Sequence, residues 1–153
     1  MRDVHSRPKP LWTSFKNCYN GNMKDKITQI AKKYHLEMMI LFGSMATGRA
    51  HQNSDADIAI IKNRKMTSRQ ETMLNIELQR IMGKEIDLVD IADAGPLLLG
   101  QISRDGKLLY GDKDKFIAAK MYFKKQLIDF MPYFQLREKM IQRNIRLLTS
   151  NAR

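Results

Sequence analysis

The chain has almost no cysteine and no long apolar run. Its 153 residues include one cysteine, Cys18, so an internal disulfide is excluded. This usage is typical of proteins in a reducing compartment. No stretch approaches the roughly 20 apolar residues of a membrane-spanning helix, and residues 1 to 22 lack the apolar core of a signal peptide. We therefore expect a cytoplasmic protein with no membrane partner.

Histidine is also scarce, and the charge is uneven. The three histidines, His5, His35 and His51, show no paired metal-ligand spacing, which argues against a zinc site. The net charge is +11, and the basic excess lies in residues 1 to 22 and 113 to 153, whereas residues 23 to 112 are nearly neutral. Such basic ends fit an acidic partner, a nucleic-acid backbone or a solvated surface. Nucleic acid is a possible partner but not the favoured one.

A Gly-Ser turn follows the first apolar run. Residues 38 to 42 read MMILF, which is too short for a helix and typical of a buried strand. Gly43 can adopt backbone angles closed to other residues, and Ser44 can begin a helix whose free N–H groups attract phosphate. Most Gly-Ser turns are only turns. Here the position after a buried strand predicts a phosphate site.

Two carboxylates stand at the mouth of the next apolar run. Asp55 and Asp57 precede Ile58 to Ile61, and residues two apart in a strand share a face. Pairs of this kind are usually solvated or cap a helix. If the two strands are neighbours, however, both acids point toward the phosphate site and suit Mg²⁺, a hard ion that takes oxygen ligands.

A third acid, Asp87, lies inside a later apolar run, residues 85 to 91, which read EIDLVDI. A charge there is costly unless it is paired or bound to metal. Asp87 is therefore a candidate third metal ligand or proton acceptor. Asp90 falls on the other face of the strand, and we expect it to be solvated.

These residues together resemble a known signature. Gly43-Ser44, ten residues, Asp55-Ala56-Asp57 and a later Asp87 are similar to the motif of the DNA polymerase β nucleotidyltransferase superfamily, and more narrowly of the minimal nucleotidyltransferases, the antitoxins of HEPN/MNT toxin–antitoxin pairs. The resemblance implies Asp55, Asp57 and Asp87 as catalytic metal ligands, two Mg²⁺ ions, ATP as substrate, and Gly43 and Ser44 as triphosphate contacts.

The resemblance also implies a function. Family members neutralise a HEPN ribonuclease toxin by transferring AMP from ATP to one of its tyrosines, so a hetero-oligomer with the cognate toxin is expected. Two alternatives stay open. The first is a nucleotidyltransferase acting on a small molecule or an RNA 3′ end, and the second is a non-catalytic antitoxin that masks its toxin by binding.

The expected architecture is a single α/β (α+β) domain with a small mixed sheet flanked by helices, the polymerase-β-like nucleotidyltransferase fold. We assign residues 1 to 22 to a flexible arm, 23 to 112 to the catalytic core, and 113 to 153 to C-terminal helices of the same domain. Asn22 is a candidate cap for the first helix, and Thr67 with Gln70 resembles a capping box. Pro96 and Gly106 bound another helix, and Pro132 divides two final helices.

The last predicted helix carries an apolar stripe formed by Phe134, Ile141, Ile145 and Leu148. Stripes at this spacing are usually part of the core. A docking face for helices of another protein is the alternative, and it is the less favoured of the two.

Overall fold

Helices and strands alternate along the part of the chain that the computed structural model describes, residues 21–51 and 54–150. Of the predicted N-terminal arm, residues 1 to 20 lie outside it. The elements are α1 (Gly21–Lys33), β1 (Leu36–Phe42), α2 (Gly43–Thr47), β2 (Ala56–Lys62), α3 (Ser68–Met82), β3 (Ile86–Asp90), a 3₁₀ turn (Ile91–Asp93), α4 (Pro96–Asp105), β4 (Lys107–Tyr110) and α5 (Lys113–Ser150).

The four strands form one mixed sheet in the order β3-β2-β1-β4. β1 is antiparallel to both β2 and β4, whereas β2 and β3 are parallel and joined through α3. The long connection follows from the geometry, because parallel strands need a crossover whereas antiparallel ones accept short turns. The predicted small mixed sheet flanked by helices is thus confirmed.

Helices cover both faces of the sheet. Side chains alternate along each strand, so odd and even positions pack against different helices. On one face α1 and α3 bury Ile27, Ile30, Leu74 and Leu78 against residues such as Leu41, Ile58 and Ile60. On the other face α4 and α5 bury Leu99, Ile102 and Phe123 against Met38, Ile40 and Ala59.

The ends of α3 follow the sequence signals. The Thr67 side chain accepts a hydrogen bond from the Gln70 backbone, and the Gln70 side chain accepts one from the Thr67 N–H, which completes the predicted capping box. Gly83 ends the helix at φ 64°, a left-handed conformation that favours glycine. Pro96 and Gly106 likewise bound α4 as predicted. Asn22 lies inside α1 and is not its cap.

The predicted division of the C-terminal segment at Pro132 is wrong. α5 is one helix of 38 residues that runs through Pro132. A proline removes one backbone hydrogen bond and crowds the preceding turn, but residues on both sides are good helix formers and hold the helical conformation across it. Within the described residues, no helix has the combination of length and apolar composition needed to cross a membrane.

Of the four residues in the apolar stripe of the closing segment, the three whose side chains the structure describes are not part of the core, and the side chain of Leu148 lies outside the described part. Ile141 and Ile145 are 47% and 54% exposed, and Phe134 is only partly buried. The expectation that this stripe is core is therefore wrong for these residues. The reason is the length of α5, because its first half already covers the sheet and its second half continues beyond α4. The division of the chain at residues 22 and 112 stays a prediction.

We predict that Gly100→Ala destabilises the fold by about 1 to 3 kcal/mol, because helices α4 and α5 meet there without room for a methyl group. A Cβ at Gly100 would lie 2.4 Å from Cδ2 and 3.0 Å from Cγ of Leu127. Urea unfolding measures the loss. The matched control is Gly21→Ala, whose Cβ would meet nothing within 4 Å; equal stability of the two variants would contradict this packing.

Candidate functional site

The turn after β1 places the backbone N–H groups that begin α2 at the end of that strand, without a capping side chain. Gly43 has φ 70°, in the left-handed region, and α2 starts at this residue. Phe42 precedes the helix and supplies no side-chain cap, so the first N–H groups of α2 have no side-chain acceptor there. Thr47 closes the short helix by donating from Oγ1 to the Gly43 carbonyl at 3.1 Å. Gly43 and Ser44 are thus placed as the sequence predicts.

The strand register brings two of the predicted acids side by side. Asp57 on β2 pairs with Asp87 on the parallel strand β3, where neighbouring backbones lie about 4.8 Å apart. Asp57 alternates with Ala59 on the face covered by α4 and α5, and Asp87 alternates with Val89 on the same face. The two carboxylates therefore stand next to each other on one side of the sheet.

Asp57 also packs directly on the turn. Phe42 pairs with Asp57 across β1 and β2, and a Cβ built on Gly43 would lie 2.0 Å from Oδ2 of Asp57 and 2.8 Å from its Cγ. Only a residue without a side chain leaves room for the carboxylate. The Gly43 turn and the acidic pair are consequently in direct contact.

Burial, and after it the charges of Asp87 and Asp55, raises the pKa of the Asp57 carboxyl above its ordinary value. Burial and like-charged neighbours both disfavour the ionised form of a carboxyl group. A cation bound between the acids would reverse the effect. The site is thus electrostatically prepared for a positively charged ligand.

Asp55 and Asp87 are exposed, and Asp57 is partly buried. We expected burial to make the charge of Asp87 unfavourable. This expectation is wrong, because β3 is an edge strand and the Asp87 side chain reaches solvent. Asp55 lies one residue before β2, within electrostatic range of Asp57. The structure therefore brings all three predicted acids to one end of β2.

The residue before Asp55 is fixed by hydrogen bonds. Ser54 accepts a bond at its Oγ from the His51 backbone N–H at 2.8 Å, so it closes the turn. Lys84 donates from Nζ to the Ser54 carbonyl at 3.3 Å. Sequence reasoning missed Lys84, because only the parallel pairing of β2 with β3 shows that it lies beside Ser54.

Asp90 lies on the opposite face, as predicted, but it is not solvated. It forms an ion pair with Lys62 at 2.6 Å, and both side chains are largely buried. Lys62 also meets Glu71 at 2.8 Å, and hydrogen bonds from Lys62 to Asp90 and Glu71 raise the pKa of the Lys62 ammonium. A cavity of about 440 Å³ lies beside this cluster, between α3 and β3. These acids are therefore compensated by the chain itself.

A metal would find oxygen donors at the Gly43 site but no complete cage. In residues 21–51 and 54–150, no group of three or more His, Cys, Asp or Glu side chains is arranged to hold a metal ion. Mg²⁺ is usually held by one or two carboxylates together with substrate phosphates and water. The oxygen donors of the paired Asp57 and Asp87 fit an ion of that kind.

The sequence matches known proteins over much of its length. The family model "Polymerase beta, Nucleotidyltransferase" matches residues 25–115. The protein adenylyltransferase MntA of Shewanella oneidensis is 33% identical over 87 residues, which are 56% of this chain and 63% of that protein. The protein adenylyltransferase MntA of Aphanizomenon flos-aquae is 34% identical, and the match covers 61% of this chain and 79% of that protein.

The fold also matches a solved structure. A toxin–antitoxin crystal structure determined with AMP-PNP contains a chain that superposes with a TM-score of 0.62 at 26% identity. The match covers 80% of this chain and 98% of that one. The described region therefore corresponds to almost the whole of that protein.

We predict that Gly43→Ala costs more stability than Gly83→Ala, by at least about 1 kcal/mol. Both glycines have left-handed backbones, so both variants carry the same backbone strain. Only at Gly43 does the new methyl group meet the Asp57 side chain, whereas at Gly83 it meets nothing within 4 Å. Denaturant unfolding of the two variants gives the comparison. Equal losses would show that the carboxylate does not rest on the turn.

Proposed function

The chain belongs to the polymerase β nucleotidyltransferase family, and from this we propose that it is a protein adenylyltransferase acting as the antitoxin of a HEPN/MNT toxin–antitoxin pair. In this proposal it transfers AMP from ATP to a tyrosine of the cognate HEPN ribonuclease, with which it forms a hetero-oligomer in the cytoplasm. Two MntA adenylyltransferases among its relatives, and a toxin–antitoxin structure among its structural neighbours, support the proposal.

One observation carries the proposal. Asp57 is in register with Asp87 on one side and rests on Gly43 on the other. Nucleotidyl transfer requires a triphosphate held by backbone donors beside acids that bind cations, because charge must be stabilised on the phosphates as the bond breaks. The three elements are adjacent here and are built from three separate parts of the sequence.

Each residue has a proposed role. Gly43 and Ser44 contact the outer phosphates of ATP through the N-terminal end of α2, where the backbone N–H groups are open. Asp55 and Asp57 hold the cation that accompanies the triphosphate. Asp87 completes the set of carboxylates and accepts the proton of the attacking tyrosine hydroxyl. Lys84 keeps Ser54, and with it the approach to Asp55, in place.

Magnesium is the cation that the donor set favours, and we propose two ions at Asp55, Asp57 and Asp87. When bound, Mg²⁺ neutralises the charge of the phosphates and of the leaving pyrophosphate. The chain itself contributes positioning and preorganised charge and forms no covalent intermediate in this scheme.

The alternative functions are less well supported. A protein that only masks its toxin has no need of three acids on one face, which are unfavourable to one another unless they serve a ligand. Transfer to a small molecule or an RNA 3′ end uses the same chemistry, but the two relatives named above are protein adenylyltransferases. The AMP acceptor therefore decides between these functions.

We predict that millimolar Mg²⁺ with ATP raises the melting temperature, because a ligand that binds only the folded state stabilises it. A shift of a few degrees corresponds to about 1 to 2 kcal/mol for a chain of this size. Asp55→Asn is expected to abolish the shift, whereas Asp93→Asn, an exposed acid outside the site, keeps it. A melting temperature indifferent to both ligands would count against the site.

The test of the function uses Asp55→Asn together with Asp57→Asn. This variant keeps the shape of the side chains and removes their charge, so AMP transfer should fall by at least about a thousandfold while toxin binding is retained. The measurement is the mass of the protein encoded by the neighbouring gene, the candidate HEPN toxin, after co-expression and incubation with ATP and Mg²⁺. Asp25→Asn with Asp93→Asn is the charge-matched control.

The experiment has two possible outcomes, and they exclude each other. Added AMP on the toxin with wild type and control, and none with the double Asn variant, supports the enzyme. Full protection of cells by the double Asn variant, with no modified toxin present, would establish a stoichiometric mask and overturn the adenylyltransferase.

A further inference from the structure

The second half of α5 exposes large apolar side chains. Tyr133, Leu136 and Met140 are each about 60% exposed, and Ile141 and Ile145 are about half exposed. Soluble proteins rarely leave so many neighbouring apolar residues in water unless another surface covers them. We call these five residues the distal face of α5.

The distal face occupies one half of the helix. At 3.6 residues per turn, Leu136 and Met140 lie one turn apart, Tyr133 precedes them on the same row, and Ile141 and Ile145 form the adjoining row. Gln135 and Gln142 lie on the other half, and both are exposed. The face spans 12 residue steps, or about 18 Å along the axis.

The row of Ile141 and Ile145 continues a row of α5 side chains that packs against the rest of the domain. Phe123 and Leu127 occupy the same side of α5 nearer its start, where Phe123 is buried in the core and Leu127 packs on Gly100 of α4. The distal face is thus an extension of the surface with which α5 binds its own domain. A partner helix laid along it would continue the packing that α4 begins.

Basic side chains lie within and beside the distal face. Residues 124 to 150 hold six Lys or Arg and two Asp or Glu. Arg137 lies between Tyr133 and Ile141 on the same row, Arg143 lies beside Met140, and both are exposed. A second copy of α5 packed face to face would bring these basic side chains against their own equivalents, which is unfavourable. The first 20 residues of the chain carry four basic and one acidic residue and are disfavoured for the same reason.

Nucleic acid does not fit the distal face either. Backbone phosphates are bound by Lys and Arg, and bases stack on aromatic rings. Four of the five side chains here are aliphatic or Met, with a single aromatic residue, Tyr133. The combination of apolar rows and neighbouring basic side chains instead matches a protein with an apolar helical surface that also carries carboxylates.

The position of α5 relative to the acids adds a functional reason. α5 covers the same face of the sheet on which Asp57 and Asp87 stand. A protein bound along α5 would be held on the side of the domain that carries the acids. Docking there raises the local concentration of the acceptor at the acids.

We propose that the distal face of α5 is the docking surface for the toxin, and that the toxin contributes an apolar helical surface that also carries Asp and Glu. This inference depends on the proposed function for the identity of the partner. It makes Leu136 and Met140 apolar contacts and Arg137 and Arg143 complementary charges.

The test replaces Leu136 and Met140 with Glu in the full chain. The matched control is Gln135→Glu with Gln142→Glu, which adds the same two charges to the same helix on the opposite half. Circular dichroism checks that both variants keep their helix. Binding to the purified candidate HEPN toxin is measured by calorimetry, and AMP transfer is followed at increasing toxin concentration.

We expect the Leu136/Met140 variant to weaken toxin binding by at least about 30-fold, the loss of one hot-spot contact. Its KM for toxin should rise in step, while kcat at saturating toxin and the thermal shift with ATP and Mg²⁺ stay unchanged. The Gln135/Gln142 control should bind within about threefold of wild type. Arg137→Glu with Arg143→Glu should reduce the salt dependence of association.

Each contrary result has its own meaning. Wild-type affinity and KM in the Leu136/Met140 variant would overturn the docking surface and leave the adenylyltransferase intact. Strong wild-type binding without AMP transfer, lost in the variant, would support the surface and overturn the enzyme. A toxin-free dimer of this chain that the variant dissolves, or RNA bound at this face in place of toxin, would also overturn the proposal.

Discussion

The parallel pairing of β2 with β3 sets Asp57 beside Asp87, and the rest of the site depends on that contact. Two carboxylates about one strand spacing apart repel each other, and partial burial of Asp57 strengthens the repulsion by removing water. The antiparallel pairing of β1 with β2 then brings Gly43 against the same Asp57. A domain gains no stability from this arrangement, which agrees with the proposed binding of a metal cation together with the phosphates of a nucleotide.

The acids on the two faces of the sheet have different charged neighbours. On the α3 side, Asp90 and Glu71 share Lys62, and the ammonium is held in its charged form. On the α4 and α5 side, Asp57 has acidic neighbours, and its pKa is raised. The first cluster is an internal ion-pair network that stabilises the fold. In the proposed function the second cluster obtains its compensating charge from a ligand, and the proposed docking surface on α5 belongs to the helix that covers the same face.

Much of this could be predicted from the sequence, because the signals are local. Short apolar runs predicted the strands, Thr67 with Gln70 predicted the start of α3, and the Gly-Ser pair predicted the turn and short helix after β1. The features that were missed depend on strand pairing and helix length. The contact of Lys84 with Ser54 and the ion pair of Asp90 require the register of β2 and β3. Predicting the exposure of Ile141 and Ile145 requires knowing that α5 extends beyond the rest of the domain.

The central claim is that the acids on the α4 and α5 face, and not those on the α3 face, form the nucleotide and metal site. Paramagnetic Mn²⁺ in the presence of a non-hydrolysable ATP analogue tests it most directly, through the line broadening of backbone amides in solution NMR. We expect broadening centred on Gly43, Ser44, Asp57 and Asp87, with the amides of Glu71 and Asp90 much less affected. Broadening centred on Glu71 and Asp90, beside the cavity between α3 and β3, would contradict the account.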